Sequence, residues 1–243
     1  MGSDDTPSMA AYLEDCYRRE IESEVISVKD GKYVVLDRTI FYPKGGGVHN
    51  DTGVIYRDGE EYQVVYVGKF GGRISHEVDG PGLKAGDSVR CEIDWDRRYK
   101  LMRSHTAAHT LISILCNETG ALVTGNDVGV DRTRFDFDLE TFDRDVFKEY
   151  IERANALFEK DIPVRSYWLP RDKAMEIPGV VKLASALPPK VEKLRIVEIT
   201  GVDKQADAGC HVRNLQEVGK IEFIKAQNKG KNNRRVYYRL SCK

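Results

Sequence analysis

The sequence predicts an α+β chain of two domains: a small β-barrel-like domain over residues 1–94, then an α+β domain over 95–243 in which helices cover an antiparallel sheet. Three observations predict it. From Glu24 to about Asp94 short β-branched or aromatic runs alternate with turns and no helical period is present. After Trp95 the pattern changes to that of a long helix running to about Thr119, with Gly120 where a helix stop is expected. A second helix, from about Thr141 to Lys160, places Val146, Phe147, Tyr150, Ile151, Ala154, Leu157 and Phe158 on one face and is followed by Pro163.

In the first domain, Glu24–Val28 and Lys32–Leu36 flank Asp30-Gly31, while Gly53–Tyr56 and Tyr62–Val67 flank Asp58-Gly59. Asp-Gly between strands is a hairpin signal, because both turn residues must take positive φ. Ile74–Val78 and Ser88–Ile93 complete six short strands, which a barrel or strongly curled sheet closes without exposed edges. Strands are expected in the second domain at Arg134–Phe137, Arg195–Ile199, Lys220–Lys225 and Arg235–Leu240.

The 243 residues carry a net charge of −1, with 41% hydrophobic and 32% charged residues, and contain no apolar run long enough to span a bilayer. The polar N-terminus, residues 1–8, lacks the apolar core of a signal peptide, and a cytoplasmic location is expected. Five scattered cysteines, Cys16, Cys91, Cys116, Cys210 and Cys242, argue against a disulfide framework and for a reducing compartment. With so little bulk charge, any nucleic-acid partner must be held by a local basic face. Lys225, Lys229, Lys231, Arg234, Arg235 and Arg239 offer one around an Asn- and Gly-rich hairpin tip, with Tyr237 and Tyr238 interleaved and Lys100 and Arg103 as an extension.

Two segments carry metal-site chemistry. His105 and His109 lie four apart in the first helix and share a face. Asp207-Ala208-Gly209-Cys210-His211 offers carboxylate, thiolate and imidazole within five residues. Zinc accepts all three ligand types in a tetrahedral set, so HxxxH with a distant third histidine follows ligand logic. A thermolysin-type protease is disfavoured, since Thr106 stands where that chemistry needs glutamate. A third segment, Gly45-Gly46-Gly47, permits positive φ and close backbone approach, and its N–H groups could face a developing oxyanion. Its spacing is neither a P-loop nor a dinucleotide fingerprint.

Taken in order, Thr39-x-Phe41-Tyr42-Pro43-x-Gly45-Gly46-Gly47, His105-x-x-x-His109, Gly209-x-His211-Val212 and the run from Asn228 to Arg235 resemble the stand-alone alanyl-tRNA editing proteins, the AlaX family. The likeness extends from about Tyr12 to Leu240, and the length is similar to that of the medium-length branch. The resemblance implies a zinc-containing deacylase that removes serine or glycine wrongly attached to alanine tRNA. It implies metal ligation by His105, His109 and His211, and contact of the Thr39 hydroxyl with the aminoacyl group. In the family's Cys-Gly-Gly-Thr-His element, Asp207 stands where the cysteine is expected and Cys210 where the threonine is. Asp207 or water is the preferred fourth ligand and Cys210 the alternative. Val48 stands where the family has glutamine after the glycines.

A threonine in such a site has a physical rationale. A synthetase pocket built for alanine rejects serine or glycine poorly, so a second site must correct the error. If buried polar groups there require a serine hydroxyl, alanine leaves them unpaired and correctly charged tRNA is spared. The expected arrangement therefore presents Thr39 and the glycine loop across a cleft to zinc, with Lys225, Lys229, Lys231, Arg234 and Arg235 on the RNA. The departures at Val48 and Asp207 motivate a rival reading, a non-catalytic RNA-binding module that keeps the scaffold. A hydrolase acting on another aminoacyl ester is a third.

Overall fold

The computed structural model describes residues 8–140, 143–180 and 191–241. The N-terminal tail, the start of the second helix at Thr141 and Cys242 lie outside the described residues. The chain divides into two compact units, residues 1–100 and 101–243.

The first unit contains β1 (Met9–Ala10), β2 (Glu20–Lys29), β3 (Tyr33–Leu36), β4 (Arg38–Thr39), β5 (Gly53–Arg57), β6 (Glu60–Phe70), β7 (Arg73–Val78) and β8 (Ser88–Ile93). Six of them close a barrel in the order β2-β3-β7-β6-β5-β8, while β1 pairs in parallel with β4. All six expected strands are the barrel strands. Two of its tight turns are the Asp-Gly pairs, with positive φ at Asp30 and Gly31 and at Asp58 and Gly59. A third hairpin, β6–β7, turns at Gly71-Gly72 by the same positive-φ device.

Between β4 and β5 runs the loop that carries the glycines. Gly45 and Val48 exchange backbone hydrogen bonds of 3.2 and 2.9 Å, and Gly46 and Gly47 take φ of 58° and 81° to close that turn. The loop is anchored by a buried ion pair. Arg98, 1% exposed, donates from Nε to both Asp51 carboxylate oxygens at 3.0 and 3.1 Å, and from its terminal nitrogens to the Ile40 and Cys16 carbonyls. Asp51 in turn accepts the Tyr42 N–H at 2.6 Å. One guanidinium thus ties both ends of the segment from Ile40 to Asp51.

Thr39, at the end of β4, is fully buried and its hydroxyl lies 2.8 Å from Nε2 of His76 on β7. His76 is fully buried as well, and burial pushes its pKa down to about 4.

The second unit follows from α1 (Trp95–Thr119), whose first residues belong to unit one. It comprises β9 (Val123–Val128), β10 (Thr133–Phe137), α2 (Arg144–Phe158), β11 (Val164–Pro170), α3 (Arg171–Met175), β12 (Lys193–Ile199), β13 (Asp203–Ala206), β14 (Ile221–Asn228) and β15 (Arg234–Leu240). Antiparallel pairing gives a four-stranded sheet, β14-β15-β10-β9, and a three-stranded sheet, β11-β12-β13. Helix α1 is buried on nearly every side from Leu101 to Leu115, so its polar Ser104, Thr106, Thr110 and Ser113 must be satisfied internally. Thr110 donates to the Thr106 carbonyl and Ser113 to that of Val202.

Helix α2 buries Phe147, Tyr150, Ile151, Ala154 and Phe158. The expected face was too wide, since Val146 is 40% exposed and Leu157 only half-buried. Both lie on the edge of the stripe beyond Tyr150, where the helix surface turns toward solvent.

Two stability measurements follow from these contacts. Arg98→Met leaves Asp51 charged, buried and unpaired, and is expected to lower the unfolding free energy by about 3–5 kcal/mol in urea titration; a loss under 1 kcal/mol contradicts the anchoring role. Because folded His76 has a pKa of about 4 against 6.5 for a free side chain, only the unfolded chain takes up its proton in that window. Stability therefore falls as pH drops from about 6.5 to about 4, by up to about 3 kcal/mol from this group. Thermal unfolding of His76→Phe across that range is expected to show a shallower slope than wild type; parallel curves contradict it.

Candidate metal centre

Helix α1 delivers His105 and His109 one turn apart, and the segment leaving β13 delivers Asp207 and His211. The four side chains are brought together: one donor atom from each lies within 4.8 Å of all the others, and the three imidazoles are each 5% exposed. Ring centroids are 4.2 Å apart for His105–His211, 4.7 Å for His109–His211 and 4.9 Å for His105–His109.

The outward nitrogens show which atoms face the cluster. Nδ1 of His109 lies 3.0 Å from the buried Asp203 carboxylate, which also accepts from the Gln205 amide at 2.9 Å. Nδ1 of His211 is 3.1 Å from the Thr106 hydroxyl, which accepts the Val212 N–H at 3.3 Å. Each contact leaves Nε2 pointing inward, where His211 Nε2 lies 3.1 Å and His105 Nε2 3.8 Å from Asp207. Orienting a ligand histidine through its other nitrogen is the usual support of a metal site.

Asp207 is braced by its surroundings. Its Oδ2 accepts the Gly209 N–H at 2.7 Å, and Arg195 on β12, 5% exposed, donates to the carbonyls of Asp207 and Gly209 at 3.2 and 2.9 Å. Gly209 passes so close to His105 that an added Cβ would sit 2.4 Å from Cε1 and 2.7 Å from Nδ1.

Electrostatics favour the ligand-competent forms. Burial, reinforced by His211, holds the His105 pKa well below its ordinary value, and burial takes His211 to about 4 against the pull of Asp207. Burial pushes the Asp207 carboxyl up, but His105 and His211 outweigh it and hold it well below the usual range. At neutral pH His105 and His211 are therefore uncharged and Asp207 is a carboxylate. That donor set fits a first-row divalent cation, whose bonds of about 2.0–2.2 Å close the observed span with small shifts. Cys210 is buried beside the cluster but is not one of the four converging donors.

The other expected site residues have distinct environments. Thr39 faces His76, and Val48 is buried at 4% exposure beside the glycine turn. Gly45 N–H is bonded to Val48. In the β14–β15 hairpin, Lys225, Lys229 and Lys231 are exposed, with Lys225 Nζ 5.0 Å from the Tyr237 ring centroid.

Arginines of the basic run are committed within the fold. Arg234 is 8% exposed and donates to the carbonyls of Gly230, Lys231, Asn233 and Glu140, while Arg235 pairs in fork fashion with Asp136 at 2.6 and 2.7 Å. Arg239 pairs with Glu222 at 3.0 Å, and Arg103 donates to the Val218 carbonyl. Tyr238 is fully buried, with its hydroxyl on the Ser104 carbonyl, so it packs rather than stacks on a base. Asp203, Thr106, Arg195 and His76 were absent from the expected site; Thr106 sits inside the His-x-x-x-His motif, and the others carry no local signal.

Comparison with known proteins first defines the class. Residues 3–97 match the family described as tRNA synthetases class II (A), and residues 194–237 match the threonyl and alanyl tRNA synthetase second additional domain. These are modules of aminoacyl-tRNA synthetases. The chain is 49% identical to the alanyl-tRNA editing protein AlaX-M of Methanosarcina barkeri, covering 95% of this chain and 98% of that protein. It is 50% identical to AlaX-M of Methanosarcina acetivorans, covering 94% and 97% respectively. It is also 38% identical to the alanine–tRNA ligase of Thermofilum pendens over 90% of this chain, but spans only 24% of that enzyme. The chain belongs to the AlaX-M family of alanyl-tRNA editing proteins.

Gly209→Ala is expected to displace His105 from the cluster and weaken divalent-cation affinity about 10–100-fold in a competitive chelator titration, as loss of a supporting contact typically does. Unchanged affinity contradicts the assignment of His105.

Proposed function

We propose that this protein is a trans-editing hydrolase that deacylates alanine tRNA mischarged with serine or glycine, using a zinc ion held by His105, His109, His211 and Asp207. The observation that carries the reading is the convergence of those four donors, three of them on buried imidazoles. The near full-length likeness to alanyl-tRNA editing proteins supports the substrate class.

Zinc bound there would supply a Lewis acid able to polarise the ester carbonyl, activate water or orient the terminal ribose. The chain's own residues do the rest. Asp203 and Thr106 hold the rings of His109 and His211 through Nδ1 so that Nε2 faces the cluster, and Arg195 with Gly209 fixes the carboxylate. Thr39 contacts the aminoacyl group, with the Gly45–Gly47 turn lining the same subsite. Lys225, Lys229 and Lys231 contact phosphates, while Arg234 and Arg235 keep the hairpin in shape. A cytoplasmic, reducing location agrees with Cys16, Cys91, Cys116 and Cys210 standing outside any disulfide among the described residues. Among the described residues, no helix is long and apolar enough to cross a membrane.

The test is deacylation of seryl- and glycyl-tRNA(Ala) by wild type and by His109→Ala, with metal content measured on the same samples. Wild type is expected to carry about one zinc per chain and to hydrolyse at least one ester. The variant is expected to lose metal and turnover together. Metal-free protein with full activity contradicts the proposed role of the cluster, and a wild type that binds tRNA without hydrolysing it favours a binding module.

A further inference from the structure

We infer that His76 is a positioning residue that fixes the Thr39 hydroxyl as a hydrogen-bond acceptor, and so tunes the editing site toward aminoacyl groups carrying a side-chain donor. The substrate half of this inference rests on the editing function proposed above; the hydrogen-bond polarity stands on the barrel alone.

The polarity follows from counting protons. Nδ1 of His76 lies 3.0 Å from the Val34 carbonyl, which can only accept, so the ring proton sits on Nδ1. Burial keeps the ring neutral at physiological pH, with its pKa near 4, and Nε2 is therefore a bare acceptor. The group 2.8 Å from Nε2 is the Thr39 hydroxyl, which must donate its single proton there. The Phe41 N–H donates to the same oxygen at 3.1 Å. A hydroxyl has one proton and two lone pairs. Thr39 is left with one lone pair and no proton.

The ring is held in that tautomer and orientation. Phe41 packs edge-on against it, with centroids 5.3 Å apart and planes at 70°. A flip would set ring carbons against both the Val34 carbonyl and Thr39. The two side chains are buried together in the barrel, where their hydrogen bond is not traded for one to bulk solvent.

A Thr39 oxygen so arranged can accept but not give. A seryl side chain offers a hydroxyl proton to it, whereas alanyl and glycyl side chains offer none. Discrimination comes from a hydrogen bond that only one substrate can complete, which is a stronger filter than the volume of one methyl group.

Two measurements test this. In wild-type protein labelled with 15N-histidine, long-range proton–nitrogen spectra at pH 7 are expected to show His76 protonated at Nδ1 and bare at Nε2; protonation at Nε2 overturns the inference whatever the activity. In kinetics, His76→Phe is expected to lower the ratio of kcat/KM for seryl- over glycyl-tRNA(Ala) at least tenfold. Thr39→Val is expected to lower it similarly, with the double variant adding little. A merely structural role would depress both esters in parallel, and an unchanged ratio in an active His76→Phe overturns the inference alone. A wild type that hydrolyses neither ester overturns the editing function and this inference with it.

Discussion

Three imidazoles and a carboxylate pressed together in a buried pocket are the constraint to which the second unit is built. The rings stand 4.2 to 4.9 Å apart, and burial keeps His105 and His211 uncharged at neutral pH. Imidazole nitrogens and a carboxylate crowded this closely gain little from one another. A divalent cation turns the same geometry into favourable coordination. The unusual burial of α1, the hairpin that brings Asp203 beside His109, and the close pass of Gly209 at His105 are all conditions for that convergence.

Each unit uses a buried guanidinium to brace a working loop. In the barrel, Arg98 ties the Ile40 and Cys16 carbonyls to the Asp51 carboxylate and so fixes the segment that holds the glycine turn. In the second unit, Arg195 clamps the carbonyls on either side of Ala208 and so fixes Asp207. An arginine suits both tasks, because its five donors satisfy several loop carbonyls at once without losing charge. Arg234 does the same for the β14–β15 tip. Sequence alone reads that arginine as an RNA contact; its burial makes the exposed lysines the better ones.

Much of this was legible in the chain before folding. Asp30-Gly31 and Asp58-Gly59 mark barrel turns because few other pairs tolerate two positive φ values, and the spacing of His105 and His109 places both on one helix face. Asp207 could be ranked ahead of Cys210 from its register with His211, and it is the one that joins the cluster. Residues whose role depends on distant partners were not legible. Arg98 meets Asp51 across 47 positions, His109 meets Asp203 across 94, and Thr39 meets His76 across 37. The acidic partners of Arg235 and Arg239 lie on neighbouring strands, so a run without acidic residues became a face partly neutralised by the fold. The edge strands β9 and β13 are short or polar, and β11, though seven residues long, runs Tyr167-Trp168-Leu169-Pro170 without the strict alternation that announces a strand.

The four buried donors offer a metal ion nitrogen and oxygen ligands and no sulfur. X-ray absorption at the zinc edge of the zinc-loaded protein addresses it most directly. A four-coordinate ion with only nitrogen and oxygen neighbours at about 2.0–2.2 Å is expected. A sulfur neighbour at about 2.3 Å, or a fully hydrated ion bound elsewhere, would contradict it.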